Sequence, residues 1–534
     1  GHHWRCFRDC AVVLMGTLTI LALVPLIGSL VVAFGSGQSA ARAKQIALFF
    51  AVATFGVGVY AITQYDVSSS ATYQLVESHE WIPSLGLTYS VGVDGLALVL
   101  VFLATLLVPL VIIAGWNDVE DTAGLPTTDK QKPGSVRGYF ALVLLLETMM
   151  IGVFVALDVF LFYFLFEAIL IPVYFMIGRY GTGRRTYASV KFLIYSLAGG
   201  LVMLAALVML WFVASETLGS PTLYLPELIG MDMDPVLENL MFWGFFLAFA
   251  IKAPLWPVHT WLPDAAGSST PGTAVLLIGV LDKIGTYGML RLCLPLFPEA
   301  SQTYAPIIIA VSVIGIFYGA LAAIGQTDMK RLFGYVSISH FGFITLGIFV
   351  FTSQGQVGAG LYMLGHGLST ALLFMVAGFM IVRRKSANVA DYGGVVKPAP
   401  VLAGMFLIAG LTALALPGLS TFVSEFLVLL GAFTVSPWLG AGATLGIVFA
   451  ALYVLLLYQR TMTGPETEQV RGMPDLNLRE RWVLAPIIAL VVFLGFYPAP
   501  VLDVLEPAVA NTLEWTGSTD PETVMSPVAE GSQP

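Results

Sequence analysis

Charge is what this sequence has least of. Asp, Glu, Lys and Arg make up only 11% of its 534 residues, while 57% are hydrophobic. A soluble domain carries about a quarter charged residues, and large soluble chains divide into domains with polar surfaces between them. A soluble protein is therefore excluded, and most of the surface must face lipid. Cysteine is nearly as scarce. Cys6, Cys10 and Cys293 form no Cys-x-x-Cys and no Cys/His cluster, so neither iron–sulfur nor zinc ligation can be read. There is no Gly-x-Gly-x-x-Gly after a strand and no P-loop, and Gly181-Thr182-Gly183 in a basic loop reads as a turn. No hydrophilic segment is long enough for a soluble catalytic domain. Any redox chemistry belongs to another chain.

What is present is a series of long apolar runs. A span needs about 20 predominantly apolar residues to cross the hydrocarbon core. Runs broken by Gly, Pro and charge predict an all-α, polytopic protein of about fourteen spans. Their limits are 11–35, 45–64, 91–115, 137–156, 158–179, 189–214, 238–258, 271–295, 304–324, 330–351, 356–383, 400–432, 438–462 and 480–503. The spans are numbered one to fourteen in that order. Residues 1–14, with His2 and His3, read as an extension or tag scar ahead of a natural initiator at Met15.

Charge asymmetry supports this map, because basic residues accumulate in cytoplasmic loops. The loops after odd-numbered spans hold Arg42 and Lys44; Lys130, Lys132 and Arg137; Arg179, Arg184, Arg185 and Lys191; Lys330 and Arg331; Arg383, Arg384, Lys385 and Lys397; and Arg460, Arg471, Arg479 and Arg481. That is nineteen of the 24 Lys and Arg, against Arg5, Arg8 and Arg291 on the other side. Both termini are expected outside. The external loops are short or acidic, and the tail with Asp520, Glu522 and Glu530 is expected to be mobile.

A few charges lie where lipid should forbid them. An ionisable side chain at mid-bilayer costs about 2.5–3.5 kcal/mol on insertion scales. Span four nevertheless has Glu147, span five Glu167, span seven Lys252, span eight Lys283 and span twelve Glu425. Asp282 adjoins Lys283, although consecutive helical residues point about 100° apart. His259 follows Lys252, and His340 and His366 lie in spans ten and eleven. Such groups can be structural pairs that hold helices together. Pairing alone does not explain why carboxylates, amines and imidazoles recur along successive helices. A proton relay needs that mixture, because burial disfavours charge and a nearby opposite charge restores it, so a small rearrangement moves a proton.

Two of these spans are also interrupted. Span seven ends Lys252-Ala253-Pro254-Leu255-Trp256-Pro257, and span twelve contains Leu416-Pro417-Gly418-Leu419 ahead of Glu425. Proline removes a donor and clashes one turn back, which leaves carbonyls in need of polar partners. Spans four to eight and nine to thirteen form two groups of five, with the interrupted span fourth in each. Broken helices at matching positions of two halves point to inverted repeats around an ion pathway. The expected division is an N-terminal segment over 1–136, repeats over 137–295 and 304–462, and a last helix with an acidic tail over 463–534.

Two stretches carry a resemblance. One runs Phe164-Leu-Phe-Glu167-Ala-Ile-Leu-Ile-Pro172 onward to Gly178; the other is Lys252-Ala-Pro-Leu-Trp-Pro-Val-His259-Thr-Trp-Leu-Pro-Asp264-Ala265, followed by Leu281-Asp-Lys283-Ile-Gly-Thr-Tyr-Gly288. Lys330 to His340 and Leu416 to Glu425 add to it. The sequence resembles, over roughly 90–465, the antiporter-like family shared by respiratory complex I and the Mrp sodium/proton antiporters. The resemblance implies that Glu167 pairs with Lys252, that Lys283 relays along the midplane with His340 and His366, and that Glu425 sits at the outlet. Glu147 and His259 are carried as further proton-translocation residues, Glu147 on a looser match.

The glutamate at 425 resembles the M-type subunit, where relatives of N and L type and the Mrp counterparts use lysine. The chain's end soon after span fourteen, without a long lateral helix, also differs from the L type. After Asp264-Ala265 the family usually continues His-x-Glu-Ala-Pro-Thr, whereas this chain reads Ala266-Gly-Ser-Ser-Thr-Pro-Gly272-Thr, so no proton-entry role is carried over to that loop, while the span-seven and span-eight lysines keep theirs. A proton-translocating subunit of NADH-quinone oxidoreductase in the bacterial plasma membrane is therefore expected, with no cofactor of its own. NADH, FMN, iron–sulfur clusters and quinone would belong to partner subunits. The partners expected are other membrane-arm subunits, including N-type and L-type neighbours, and lipid, but no nucleic acid. The alternatives are an Mrp-type cation/proton antiporter subunit and a purely structural scaffold of the membrane arm.

Overall fold

The computed structural model describes residues 16–35, 39–122, 125 and 134–521. His2, His3, Cys6, Cys10, Lys130, Lys132, Glu522 and Glu530 lie outside the described residues. Among the described residues, twelve helices are individually long and apolar enough to cross a membrane. They correspond to spans one to eleven and span thirteen, from Thr17–Phe34 to Pro437–Met462. Span twelve is a pair of shorter apolar helices, Pro400–Ala413 and Ser420–Val435, and span fourteen is Leu478–Phe496.

The spans are not equally enclosed. Pro271–Leu296 (span eight) is buried along its whole most apolar stretch, and Met329–Phe349 and Ser353–Arg384 (spans ten and eleven) over 94% of theirs. Ala40–Gln64 (span two) is buried over only 28%, and spans one, six, nine and thirteen over 33–39%. Leu201, Phe212, Leu445 and Val448 accordingly present apolar side chains outward. An outer ring thus meets lipid or partner chains, and the inner helices carry Lys283, His340 and His366.

Three elements differ from the expectation. The first external loop holds an antiparallel hairpin, β1 (Gln74–Ile82) and β2 (Leu87–Val93), a local addition to the all-α membrane fold. Its β-branched and aromatic residues suit a pleated ribbon, and Gly86 takes the left-handed φ of 66° at the turn. Glu77 from β1 receives the Leu18 and Thr19 amides, capping span one. Second, the span-seven helix ends at Lys252, six residues before the expected limit. Third, the chain does not trail off after span fourteen. A helix over Ala499–Trp515 turns back by 70° and packs on spans eleven and three. Leu502, Leu505, Val509 and Leu513 recur at helical spacing on its inner face. The tail as far as Asp520 is pinned as well, since Asp520 accepts from the Ser353 amide and hydroxyl.

Candidate proton-translocation site

The break in span seven follows from its prolines. Pro254 cannot donate to the Ala250 carbonyl, and Leu255 N–H bonds there instead. The Ile251 carbonyl is then taken by the Trp261 indole N–H at 2.9 Å, from the short helix Trp261–Ser268. Lys252 thus sits on the last turn of Pro235–Lys252, only 1% exposed, beside an irregular stretch over 253–260.

Glu167 sits at a second discontinuity. Span five divides into Val159–Ala168 and Leu170–Tyr180, and Glu167 lies at the end of the first piece. Gly200 of span six lies directly beneath its carboxylate, so that a Cβ there would stand 1.8 Å from Glu167 Oε1. Glu167 and Lys252 lie within electrostatic range of each other. They are not bonded, however, and among the described residues neither Lys252 Nζ nor Glu167 Oε1 has a hydrogen-bond partner. The Phe166 ring lies 4.7 Å from Lys252 Nζ. The expected pair is therefore open.

Span eight passes the break so closely that a Cβ on Gly285 would come within 2.5 Å of the Phe249 carbonyl. This approach brings Asp282 into electrostatic range of both Lys252 and Lys283. Both Asp282 oxygens are buried and unpartnered among the described residues. Span eight itself contains two π-turns, Leu277–Leu281 and Met289–Cys293, on either side of Lys283. Pro295 accounts for the second, because its ring would clash with the Arg291 carbonyl in a regular helix. In the first, Asp282 N–H bonds back to Leu277. The Ile278 carbonyl accepts from Lys283 Nζ at 2.6 Å.

From Lys283 onward the side chains touch. Lys283 Nζ lies 2.6 Å from His366 Nδ1. His366 Nε2 is 3.3 Å from Ser337 Oγ and 3.4 Å from Thr370 Oγ1. The His366 and His340 rings meet edge to face at 5.2 Å. His340 Nε2 is 3.3 Å from the Tyr453 hydroxyl, and its ring lies 5.7 Å from that of Tyr362. The Tyr362 hydroxyl donates to Glu425 Oε2 at 2.9 Å. Every member of this line is buried.

Span twelve delivers Glu425 through its own break. The Pro400–Ala413 helix stops, Ala415 takes a φ of 61°, and Gly418 after Pro417 takes a φ of 93°, which only glycine adopts without strain. The Thr421 hydroxyl donates to the stranded Thr412 carbonyl and starts the second half-helix.

The structure therefore brings together Lys283, His366, His340 and Glu425, with Lys252, Asp282 and Glu167 adjoining them. It does not bring Glu147 or His259 into that line. Glu147 is wholly buried on span four, both oxygens without a hydrogen-bond partner among the described residues. His259 packs edge to face on Tyr318 at 4.7 Å, its ring nitrogens likewise without a partner. Sequence reasoning missed Tyr362 and Tyr453, whose signal was a phenol placed within an apolar run. No group of three or more His, Cys, Asp or Glu among the described residues could hold a metal ion.

Residues 156–450 match the family described as NADH:quinone oxidoreductase/Mrp antiporter, transmembrane. The chain belongs to this family. Among its relatives, NADH-quinone oxidoreductase subunit M of Mycobacterium tuberculosis is 49% identical over 529 residues, covering 94% of this chain and 95% of that protein. Subunit M of Rhodobacter capsulatus is 39% identical, covering 93% and 96%. Among solved structures, a chain of respiratory complex I from Thermus thermophilus with bound NADH superposes with a TM-score of 0.83 at 29% identity, covering 94% of this chain and all of that one. A chain of the Mrp complex from a Dietzia species shares the fold, with a TM-score of 0.80 at 20% identity over 94% of this chain and 98% of that one.

Proposed function

We propose that this chain is the M-type proton-translocating membrane subunit of an NADH-quinone oxidoreductase, and that it moves protons along its buried polar line. NADH oxidation and quinone reduction occur in partner subunits, which hold the FMN, iron–sulfur clusters and quinone. The neighbours in the membrane arm are antiporter-like subunits of N and L type. The basic loops face the bacterial cytoplasm, and both termini lie outside.

The observation that carries this reading is the unbroken buried succession from Lys283 through His366 and His340 to Tyr362 and Glu425. Each member can hold or pass a proton: Lys283 with His366 and Tyr362 with Glu425 are hydrogen-bonded, and the two links through His340 are ring contacts. Lys252 with Glu167 forms the controlling end. A change of field from a neighbouring subunit that moves Glu167 alters the charge Lys252 can hold, and Asp282 lies between Lys252 and Lys283 to transmit the change. Spans four to eight and nine to thirteen act as two half-channels, with Glu425 at the outlet. Glu147 and His259 belong to the same proton-handling set at its edges.

The test is Lys252→Met and Glu167→Gln in the assembled enzyme, measured as protons moved per NADH oxidised. Both variants should lose most coupled pumping. Full pumping with intact assembly in both would end the reading. A cation/proton antiporter subunit of the Mrp class shares the fold, and it would copurify without dehydrogenase and iron–sulfur partners. A pure scaffold would keep turnover and proton yield when all five buried charges are neutralised.

A further inference from the structure

The line from Lys283 to Glu425 accounts for relay and outlet but leaves the uptake end without a titratable group. The loop Ala266-Gly-Ser-Ser-Thr-Pro-Gly272 after Ala265 carries no titratable side chain. At the basic face, where spans three, eight and eleven converge, Val111, Gly115, Asp118, Gly272, Met375 and Gly378 are among the residues lining a small, narrow cavity. Asp118 comes from the short helix Asp118–Thr122 that follows span three, and it is 8% exposed. Its carboxylate accepts the Gly272 N–H.

A chain of hydroxyls begins beside it. A Cβ on Gly272 would lie 3.2 Å from the Tyr139 hydroxyl and 3.7 Å from Asp118 Oδ2, so both groups face the same glycine. Tyr139 OH is 3.1 Å from Thr270 Oγ1 and 3.2 Å from Thr273 Oγ1, and the two threonines are 2.8 Å apart. Spans eight and eleven run antiparallel from this point. Gly378 packs on Pro271, and Gly367 meets the Gly279 carbonyl. Thr370, which contacts His366, is thereby level with about residue 277. The interval from Thr273 is one helical turn, about 6 Å. One or two bridging waters would be needed to cover that distance.

We propose that Asp118 is the proton-uptake group of this subunit, loading protons at the basic face and passing them through Tyr139, Thr270 and Thr273 toward His366 and Lys283. The proposal rests on the relay reading above. The proton moves between existing donors and acceptors, so no bond other than O–H and N–H changes and no co-reactant is needed. Several groups set the field at Asp118. Asp121 and Glu120 lie on its own helix, Lys330 at the start of span ten, Arg479 at the start of span fourteen and Tyr139 on span four. Burial dominates and pushes the Asp118 carboxyl up to about 6. It is then protonated in most molecules below that pH, and the loaded fraction falls about tenfold per unit above it.

A structural role is the competing account, because accepting the Gly272 N–H also caps span eight. Asp118→Asn separates the two, since an amide oxygen can keep the cap but cannot titrate. The experiment uses the whole assembled enzyme in proteoliposomes and reads protons per NADH from pH 5.5 to 8, with Asp118→Asn, Asp118→Glu and Lys283→Met in parallel. Asp118→Asn should lower the yield at least threefold at pH 6.5 and flatten the fall above pH 6. Asp118→Glu should restore the yield with the limb moved upward. Wild-type yield and pH profile in Asp118→Asn, beside a Lys283→Met variant that has lost pumping, would overturn the uptake role and leave the relay reading standing. Wild-type yield in both would remove the two together. Should Asp118→Asn fail to assemble, Asp118→Glu with an unshifted limb overturns the proposal.

Discussion

The two broken helices solve the same problem in opposite ways. Around span seven, Lys252, Asp282 and Glu167 are within electrostatic range, yet none of Lys252 Nζ, the Asp282 oxygens or Glu167 Oε1 has a hydrogen-bond partner among the described residues. Around span twelve, Glu425 is tied by Tyr362, and the contacts run back through His340 and His366 to Lys283. Unit charges about 8 Å apart still interact by roughly 2 kcal/mol at an effective dielectric near 20, so the first region can respond to a distant change without contact. A hydrogen bond contributes about 1 kcal/mol and only at contact, so under the proposed function the second region would conduct without sensing. On the proposed function, sensing and conduction would therefore be separated along the chain, with Lys283 as their meeting point.

Removing the meeting point should do the most damage. Lys283→Ala takes away the partner of His366 and of the Ile278 carbonyl at once. Protons moved per NADH should fall by about tenfold or more, the scale of losing an interaction worth roughly 1.4 kcal/mol. A yield within twofold of wild type would mean that the two regions communicate by another route. Gly200→Ala comes next, because its new methyl must displace the Glu167 carboxylate without removing any charge. A severalfold loss of yield is expected with assembly intact. Gly56→Ala, where an added Cβ meets nothing within 4 Å, serves as the silent control. Equal behaviour of the two glycine variants would show that the position of Glu167 is unimportant.

The sensing region was far more legible in the sequence than the conducting one. Pro254 and Pro257 announce the break beside Lys252, and Pro417-Gly418 the break before Glu425, because proline's missing donor is a local property. The charges themselves stand out against apolar spans. What joins them is not local. Lys283 and His366 are 83 residues apart in the chain, and no pattern in either span says that they touch. Tyr362 and Tyr453 do not stand out in their spans, because a phenol is uncharged and tolerated among apolar residues. The hairpin at 74–93 is masked for a related reason: the external loop stands out for its acidity, although its Val, Tyr and Thr with a turn at Gly86 carry a strand signal. The helix at 499–515 hid behind its prolines and acidic residues, which lower its hydropathy while its apolar face keeps helical spacing. The π-turns of span eight have a legible cause in Pro295 on one side only, and the turn at 277–281 has none that the sequence displays.

The smallest effects should come from the conducting line, and they sharpen the contrast most. Tyr362→Phe deletes the 2.9 Å bond to Glu425, and about fivefold in yield is the expected loss for one such bond. The carbonyl stretch of protonated Glu425 should also shift in infrared difference spectra. Tyr453→Phe deletes a longer contact, 3.3 Å from His340 Nε2, and should cost only two- to threefold. Because Tyr453 also lies within electrostatic range of Glu425, the two hydroxyls report on one carboxylate. The double variant should therefore fall short of the product of the single losses, as groups in one network do. Strictly multiplicative losses would mean that the two phenols act independently, with Tyr362 serving the outlet alone and His340 reaching Glu425 by some other contact. Gly200→Ala combined with Tyr362→Phe should multiply, since one variant acts on the sensing region and the other on the conducting line.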